Sequence, residues 1–200
     1  MRILAINGSY RSAGITEQTL AVMRQTLVSA GHDVIEVALR ERDIGFCRNC
    51  RECTQQPGPN PGRCVQDDEM ADLIAQIEAC DACILASPTN CGAVTALFKR
   101  FMERLVVYGY WPWGTPAPKP RRPAGRKPTV LVSSSAAPAF LGRWSFGTVR
   151  QLRQAARMFG GRVRGTCFTG LAASAPDLGL SARQQRKAER IARRLITGSG

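Results

Sequence analysis

The first twenty residues constrain the fold of this chain more than any other stretch. Arg2–Ile6 is a short apolar run, Asn7–Gly14 is small and polar, and apolar residues recur at helical spacing from Ile15 onward. This order predicts a buried strand, a glycine-bearing turn and a helix N-terminus in close succession. Because the first N–H groups of a helix lack intrahelical acceptors and the helix dipole is positive there, such a turn favours an anion.

The chemistry of this turn indicates a phosphate monoester. Ser9, Ser12 and Thr16 offer hydroxyl groups, and Arg11 offers a cation. The alternative is structural, since Ser12 or Thr16 can simply cap the helix. The glycines do not form the G-x-G-x-x-G pattern of dinucleotide-binding folds, and the sequence contains no G-x-x-x-x-G-K-[ST] loop of nucleotide hydrolases.

Residues 3–20 resemble the G-S-x-R-x-x-G-x-T signature of the flavodoxin-like NAD(P)H-dependent FMN reductases, a family that includes the iron–sulfur flavoproteins. Five positions match the signature: Gly8, Ser9, Arg11, Gly14 and Thr16. Tyr10 stands where proline is usual, and Ile15 stands where asparagine is usual. The resemblance implies that six residues hold the phosphate of FMN: Ser9, Arg11, Ser12, Gly14, Ile15 and Thr16.

A second block of resemblance follows the third predicted strand. Ser87–Gly92 and Lys99–Arg104 match the family patterns S-P-x-Y-x-G and K-x-F-x-D-R, with Asn90 in place of tyrosine and Glu103 in place of aspartate. By this resemblance the flavin ring lies between two loops, formed by Pro88, Thr89, Asn90, Cys91 and Gly92 and by Ser133, Ser134 and Ser135. The missing aromatic is expected to be replaced by Trp111, Trp113 or Tyr108. Lid residues are expected in the loop 136–145, namely Phe140 and Trp144.

Five predicted strands alternate with helices along the chain. The strands fall at residues 2–6, 34–39, 82–87, 129–134 and 163–168, and the helices at 15–29, 67–79, 93–107, 146–159 and 181–196. This alternation predicts a parallel sheet with helices on both faces. We expect a flavodoxin-like doubly wound α/β fold with strand order 2-1-3-4-5, which places a ligand where the first and third strands diverge.

The same pattern predicts the organisation of the chain. One FMN-binding domain is expected over residues 1–197, with an inserted cysteine-bearing loop at 40–66 and a proline-rich loop at 110–128. The acidic run Asp67–Glu69 is expected to cap the following helix. The tail 197–200 is expected to be disordered.

Four cysteines of the long loop form a candidate metal site: Cys47, Cys50, Cys53 and Cys64. The C-x-x-C-x-x-C spacing can turn three sulfurs toward one centre, and a fourth cysteine can complete a [4Fe–4S] cluster, with zinc or free thiols as alternatives. The iron–sulfur flavoproteins carry a similar compact motif at this place, although the gap of ten residues before Cys64 is longer here. The other cysteines at 80, 83 and 167 are expected in the core.

The net charge of +13 is of the sign that attracts anionic partners such as nucleic acid or a membrane surface. Basic residues cluster at Lys119–Lys127 and Arg183–Arg194, where we expect a solvated surface rather than a nucleic-acid or membrane footprint. No apolar run approaches a membrane span and no signal peptide is recognisable, so a cytoplasmic protein with reduced cysteines is expected. The single histidine, His32, excludes histidine-based triads.

These features predict an FMN-dependent NAD(P)H oxidoreductase of the flavin or quinone reductase type. The chemistry belongs to the flavin, whose N5 accepts a hydride, so no catalytic side chain is required. The resemblance implies a small-molecule or protein electron acceptor and a homodimer or homotetramer. Two alternatives remain: a flavodoxin-type electron carrier without NAD(P)H turnover, and a basic nucleic-acid or membrane-surface binding module that lacks flavin.

Overall fold

A computed structural model describes residues 1–122, 125–175 and 177–197. Its central sheet consists of β1 (Arg2–Asn7), β2 (Asp33–Ala38), β3 (Ala82–Ala86), β6 (Lys127–Ser134) and β7 (Gly161–Thr169). These strands are parallel, and their order across the sheet is β2-β1-β3-β6-β7. The α-helices are α1 (Ile15–Ser29), α2 (Met70–Ala79), α3 (Ala96–Arg104), α4 (Ala139–Ser145), α5 (Thr148–Met158) and α6 (Ala182–Ile196).

The predicted strand order is confirmed. The numbering differs only because the proline-rich loop contains a short antiparallel hairpin of its own, formed by β4 (Gly109–Tyr110) and β5 (Lys119–Pro120). Successive apolar residues of β1 and β3 point to opposite faces of the sheet and are buried on both. One face packs against α2, α3 and α5, and the other against α1 and α6. The sheet is therefore doubly wound.

Two local predictions are wrong. The third predicted helix, at 93–107, begins only at Ala96, and its last residues form a 3₁₀ turn, Leu105–Tyr108. It starts late because the Thr95 hydroxyl caps it, accepting from Phe98 N at 3.2 Å and donating to Gly8 O at 2.6 Å. The predicted loop 136–145 contains α4.

The acidic run 67–69 does not act mainly as a helix cap. Asp68 accepts a hydrogen bond from Met70 N, but it also accepts from Gly45 N at 2.9 Å and pairs with Arg104. Glu69 pairs with Arg42 at 2.7 Å. Cations and free N–H groups of the cysteine loop and α3 lie close enough to compete for these carboxylates, so the acids attach the loop to the domain instead.

Three further sequence expectations concern the core cysteines, the C-terminal tail and the absence of a membrane span. Cys80, Cys83 and Cys167 are buried, as predicted. Residues 198–200 of the predicted disordered tail lie outside the described residues, as do residues 123 and 124 of the proline-rich loop. No helix in the described ranges is long and apolar enough to cross a membrane.

Candidate functional site

A crevice of about 330 Å³ opens at the carboxyl ends of β1, β3 and β6. Ten of the residues predicted to bind FMN line it: Ser9, Arg11, Gly14, Ile15, Thr16, Pro88, Thr89, Asn90, Ser134 and Ser135. Four predicted residues do not line it: Ser12, Cys91, Gly92 and Ser133. The structure thus brings together two sequence blocks that are some seventy residues apart, because parallel strands end at the same edge of the sheet.

The turn between β1 and α1 has the geometry of an anion site. Gly14 is the N-cap residue of α1, and among the described residues no side chain caps the helix, so the alternative that Ser12 or Thr16 serves as a cap is wrong. The first N–H groups of α1 therefore face the crevice without a side-chain acceptor. The turn is braced from within, because the Ser9 hydroxyl accepts from Arg11 N at 3.2 Å and donates to Arg11 O at 3.1 Å.

A hydroxyl group from the end of β6 lies beside this turn. The Thr16 and Ser134 hydroxyls lie 2.9 Å apart, and both side chains are buried. Thr89 N donates to Ser134 O at 2.7 Å, which fixes the β3–α3 loop against the end of β6. The buried Ser133 hydroxyl has no hydrogen-bond partner among the described residues and lies outside the crevice lining.

The β3–α3 loop is a tight hairpin. Asn90 and Ala93 exchange two backbone hydrogen bonds of 2.9 Å, and the two residues between them adopt left-handed conformations, with φ of +48° at Cys91 and +77° at Gly92. This is the conformation of a hairpin turn with two left-handed central residues. It leaves Cys91 exposed at the tip, while Pro88, Thr89 and Asn90 face the crevice.

None of the aromatic residues predicted for this site lines the crevice. Tyr108 is buried and donates to Glu78 Oε1 at 3.1 Å, and Trp111 and Trp113 stack on Arg51 of the cysteine loop. Phe140 and Trp144 are exposed and do not line the crevice. The aromatic residue that does line it is Tyr10, one of the two positions at which the first signature departs from its family.

Sequence reasoning also missed the far wall of the crevice. Ala136, Ala172 and Ala173 line it beside Tyr10. Small apolar residues carry no chemical signature, which explains why they were overlooked. Their placement just after β6 and β7 was a usable signal, because ligands of open α/β sheets contact the loops that follow the strands.

The second candidate site is the cysteine loop, residues 40–66. Its four cysteines line one small cavity of about 20 Å³: Cys47, Cys50, Cys53 and Cys64. Asn49 and Arg51 alternate with the cysteines and are left-handed, with φ of +52° and +64°, which turns the chain sharply between sulfurs. Arg104 Nη2 donates to Cys64 Sγ at 3.4 Å.

The surroundings of Cys53 favour its protonated thiol over the thiolate. Burial, and then the neighbouring thiols of Cys64, Cys47 and Cys50, raise the pKa of the Cys53 thiol to about 11. The positive charge of a metal centre reverses this effect, because it stabilises the thiolate. Within the described ranges, however, no group of three or more histidine, cysteine or acidic side chains is arranged to hold a single metal ion.

The fold and the two loops at its crevice define a flavodoxin-like protein. A solved flavodoxin from the domain Archaea superposes with a TM-score of 0.57 at 10% identity, covering 98% of this chain and 96% of that chain. The NAD(P)H:quinone oxidoreductase from Methanothermobacter marburgensis superposes with a TM-score of 0.64 at 18% identity, covering 100% of this chain and 98% of that chain. At these identities the similarity establishes the fold.

Sequence similarity establishes the family. Residues 1–172 match the family of NADPH-dependent FMN reductases, and the chain belongs to it. An iron–sulfur flavoprotein from Archaeoglobus fulgidus is 35% identical over 112 residues, which are 56% of this chain and 49% of that protein. The chain thus spans about half the length of the relatives that it matches. The resemblance predicted from the two signature blocks is confirmed.

Proposed function

We propose that the protein is an FMN-dependent NAD(P)H oxidoreductase. The observation that carries this proposal is the N-terminus of α1, which has no side-chain cap within the described part of the chain and opens into a crevice shared by both signature loops. The chemistry that bound FMN would supply is transfer of a hydride from a reduced nicotinamide, with the electrons going on to a small-molecule or protein acceptor. Family membership supports the same activity.

The residues of the chain bind and orient the cofactor in this proposal. The phosphate is held by the β1–α1 turn, with Ser9, Arg11, Ser12, Gly14, Ile15 and Thr16. The ring is held between Pro88–Gly92 and Ser133–Ser135, with Pro88, Thr89, Asn90, Ser134 and Ser135 nearest because they line the crevice. We assign this role to one domain over residues 1–197.

The phosphate turn provides the test. Ser9→Glu and Thr16→Glu place a carboxylate where the phosphate is expected, and each is expected to weaken FMN binding by at least about tenfold. Ser29→Glu, at the other end of α1, adds the same charge and serves as the control. Affinity is measured by quenching of flavin fluorescence, and Thr16→Val covers the case in which the charged variant does not fold. Unchanged affinity in all three crevice variants would contradict the proposal.

Turnover separates a reductase from a flavodoxin-type carrier. The FMN-loaded protein is expected to oxidise NADPH or NADH continuously in the presence of a quinone, and the rate is read from nicotinamide absorbance. Reduction of the flavin by an electron-transfer protein, without nicotinamide oxidation, is the result expected of a carrier. Salt-sensitive DNA binding by flavin-free protein is the result expected of a nucleic-acid binding module.

We also propose that Cys47, Cys50, Cys53 and Cys64 hold a [4Fe–4S] cluster. The proposal is supported by the shared cavity and by the names of the relatives, several of which are iron–sulfur flavoproteins. Four cysteine thiolates are the usual ligands of such a cluster, which carries electrons one at a time. The Arg104 guanidinium, which already donates to Cys64, is placed to stabilise the thiolate charge.

Iron and acid-labile sulfide per chain test the cluster after anaerobic purification. We expect about four of each in the wild type and a large loss in Cys50→Ala. Cys91→Ala is the matched control, because Cys91 is an exposed cysteine outside the set. Stoichiometric zinc would contradict the cluster and indicate a zinc site. Thiols that all titrate freely would contradict it and indicate that the cysteines bind no metal.

We further propose that the protein acts in the cytoplasm as a homodimer or homotetramer. Membership of the reductase family supports this proposal. Light scattering of the FMN-loaded protein measures the assembly, and a mass of 21.8 kDa, that of a single chain, would contradict it.

A further inference from the structure

Two buried cysteines form a pair at the end of α2. Cys80 is the C-cap residue of α2 and Cys83 is the second residue of β3, and their Sγ atoms lie 3.4 Å apart. Their C-x-x-C spacing is typical of thiols that take part in redox exchange. Neither residue lines the crevice or the cavity of the cysteine loop, so the proposed function makes no use of them.

The pair lies at the opposite edge of the sheet from the crevice. Three residues of strand, at about 3.3 Å each, separate Cys83 from Ala86, the last residue of β3, and the crevice opens at that carboxyl end. An oxidant must therefore reach the pair from solution rather than from the crevice. Cys83 is 0% exposed and Cys80 is 5% exposed, so only a small oxidant has access, and it meets Cys80 first.

The Lys127 ammonium lies beside this pair. Its Nζ atom donates to Ile77 O and to Cys80 O, the latter at 2.6 Å, and it lies 3.5 Å from Cys80 Sγ. Lys127 thus binds the last carbonyl groups of α2 and places a positive charge next to one sulfur. A cation beside a thiol stabilises the thiolate, which is the nucleophilic form of cysteine.

The two thiols differ in how readily they ionise. The hydrogen bond from Cys83 lowers the pKa of the Cys80 thiol, and the charge of Lys127 adds to this effect against the opposing effect of burial. The bond to Cys80, together with burial, raises the pKa of the Cys83 thiol well above its usual value. Cys80 is therefore the nucleophile of the pair, and Cys83 is the thiol that reacts second.

We infer that Cys80 and Cys83 form a second redox site, a dithiol that hydrogen peroxide oxidises to a disulfide. The Cys80 thiolate attacks one peroxide oxygen, so that an S–O bond forms, the O–O bond breaks, and the departing hydroxide takes up the proton that Cys80 lost. Cys83 then attacks the Cys80 sulfur, so that the S–S bond forms, the S–O bond breaks, and the hydroxyl group leaves as water with the Cys83 proton. The two thiols lose two electrons in total, and the peroxide is reduced to two molecules of water.

The geometry favours the disulfide over further oxidation of Cys80. A disulfide has an S–S length of about 2.0 Å, so the two Sγ atoms at 3.4 Å need to approach by only about 1.4 Å. Cys167 is a useful contrast, because it is also buried but packs in the part of the core on the other face of the sheet. Burial raises the pKa of its thiol, and we expect it to stay reduced.

Peptide mapping of the purified, folded protein provides the direct test. After exposure to hydrogen peroxide, the protein is alkylated under denaturing conditions and cut with trypsin and with an endoproteinase that cleaves before aspartate. Cleavage before Asp81 separates Cys80 from Cys83 unless a disulfide joins them. We expect fragments 72–80 and 81–99 to remain linked, with a mass about 2 Da below their sum, and to separate after reduction with dithiothreitol.

Variants separate the roles of the three side chains. In Cys83→Ala, oxidation of Cys80 is expected to stop at the sulfenic acid, which dimedone traps, and in Cys80→Ala the Cys83 thiol is expected to stay reduced. Lys127→Gln is expected to slow disulfide formation about fivefold, and Lys127→Arg to restore most of the rate because it keeps the cation. Lys119→Gln, at an exposed lysine of the β4–β5 hairpin, is the matched control.

The exposed Cys91 reports whether the dose of peroxide is sufficient. If Cys80 and Cys83 both remain free thiols at a dose that oxidises Cys91, the inference is overturned. A linkage that appears only in protein unfolded with urea would overturn it as well, because the reaction would then need no folded site. None of these readouts depends on bound flavin or on a metal in the cysteine loop, so the result is independent of the proposed function.

Discussion

Arg104 and Asp68 form a bidentate ion pair, with Nη1 2.6 Å from Oδ2 and Nη2 3.0 Å from Oδ1. The side chains are 2% and 10% exposed, which makes this the most buried ion pair among the described residues. Arg104 also donates to Gly45 O at 2.9 Å and to Cys64 Sγ. One guanidinium thus ties α3 to both ends of the cysteine loop and to the start of α2.

Removing this guanidinium is expected to be costly. Arg104→Met leaves the Asp68 carboxylate buried with only two backbone donors, and we expect a loss of about 3 kcal/mol in the free energy of unfolding. Lys99→Met breaks the exposed pair with Glu103 on the same helix and is the control, with an expected loss below about 0.5 kcal/mol. Urea unfolding measures both, and similar losses in the two variants would refute this ranking.

The same pair predicts a dependence of stability on pH. Burial alone raises the pKa of Asp68, but hydrogen bonds from Arg104, Gly45 N and Met70 N outweigh it and hold the pKa below its usual value. The unfolded chain therefore binds the proton more readily, so the stabilisation is present above about pH 4 and is lost as pH falls through the folded pKa. The difference in unfolding free energy between wild type and Asp68→Asn should shrink from pH 6 to pH 3, and a constant difference would contradict the assignment.

The two glycines of the first signature are expected to respond differently to alanine. A Cβ atom at Gly8 would lie 2.8 Å from Phe98 Cβ, whereas one at Gly14 meets nothing closer than Arg11 Cβ at 3.4 Å, and its φ of −74° suits any residue. Gly8→Ala should therefore cost about 1–3 kcal/mol of stability, and Gly14→Ala much less. Thermal unfolding of flavin-free protein isolates this effect from cofactor loss. Equal melting temperatures would show that the contact with Phe98 relaxes freely.

Gly62 is expected to determine the shape of the cysteine loop. A Cβ atom there would lie 1.7 Å from Cys53 O, while Gly62 N donates to Val107 O at 2.8 Å. Gly62→Ala should separate Cys53 from Cys64, expose the buried Cys53 thiol and lower the metal content, with FMN binding retained. Thiol titration of metal-free protein reads the exposure independently of any cluster. Pro57→Ala, at the exposed tip of the loop, is the control and should leave both readouts unchanged.

The sheet and the crevice were predictable from the sequence because their signals are local. A buried strand, a polar turn and an amphipathic helix each occupy a few consecutive residues, and parallel strands bring such turns to one edge. The helix α4 was missed for the opposite reason. Gly142 interrupts its pattern, yet a Cβ atom there would lie 2.5 Å from Ser135 Oγ, so only the tertiary contact explains the glycine.

The surroundings of the cysteine loop were not predictable either. Arg51 lies between two indole rings, 3.8 Å from the centroid of Trp111 and 4.2 Å from that of Trp113, and it donates to Trp111 O at 2.7 Å. Cation–π contacts of this kind join segments that are sixty residues apart. No periodicity or motif links such residues in a single sequence. The sequence therefore favours a different role for the tryptophans, as aromatic neighbours of the flavin.

One of these long-range contacts has a consequence for the timing of assembly. Arg121 Nη2 holds Cys53 O at 3.0 Å, and the two residues are 68 positions apart in the chain. During synthesis, at roughly 5–20 residues per second, the first three cysteines leave the ribosome several seconds before the residue that fixes their loop. The cysteines thus spend that interval without their final geometry. Any group that the cysteines bind therefore enters a loop whose shape is completed late, after the turn between β1 and α1 has been synthesised.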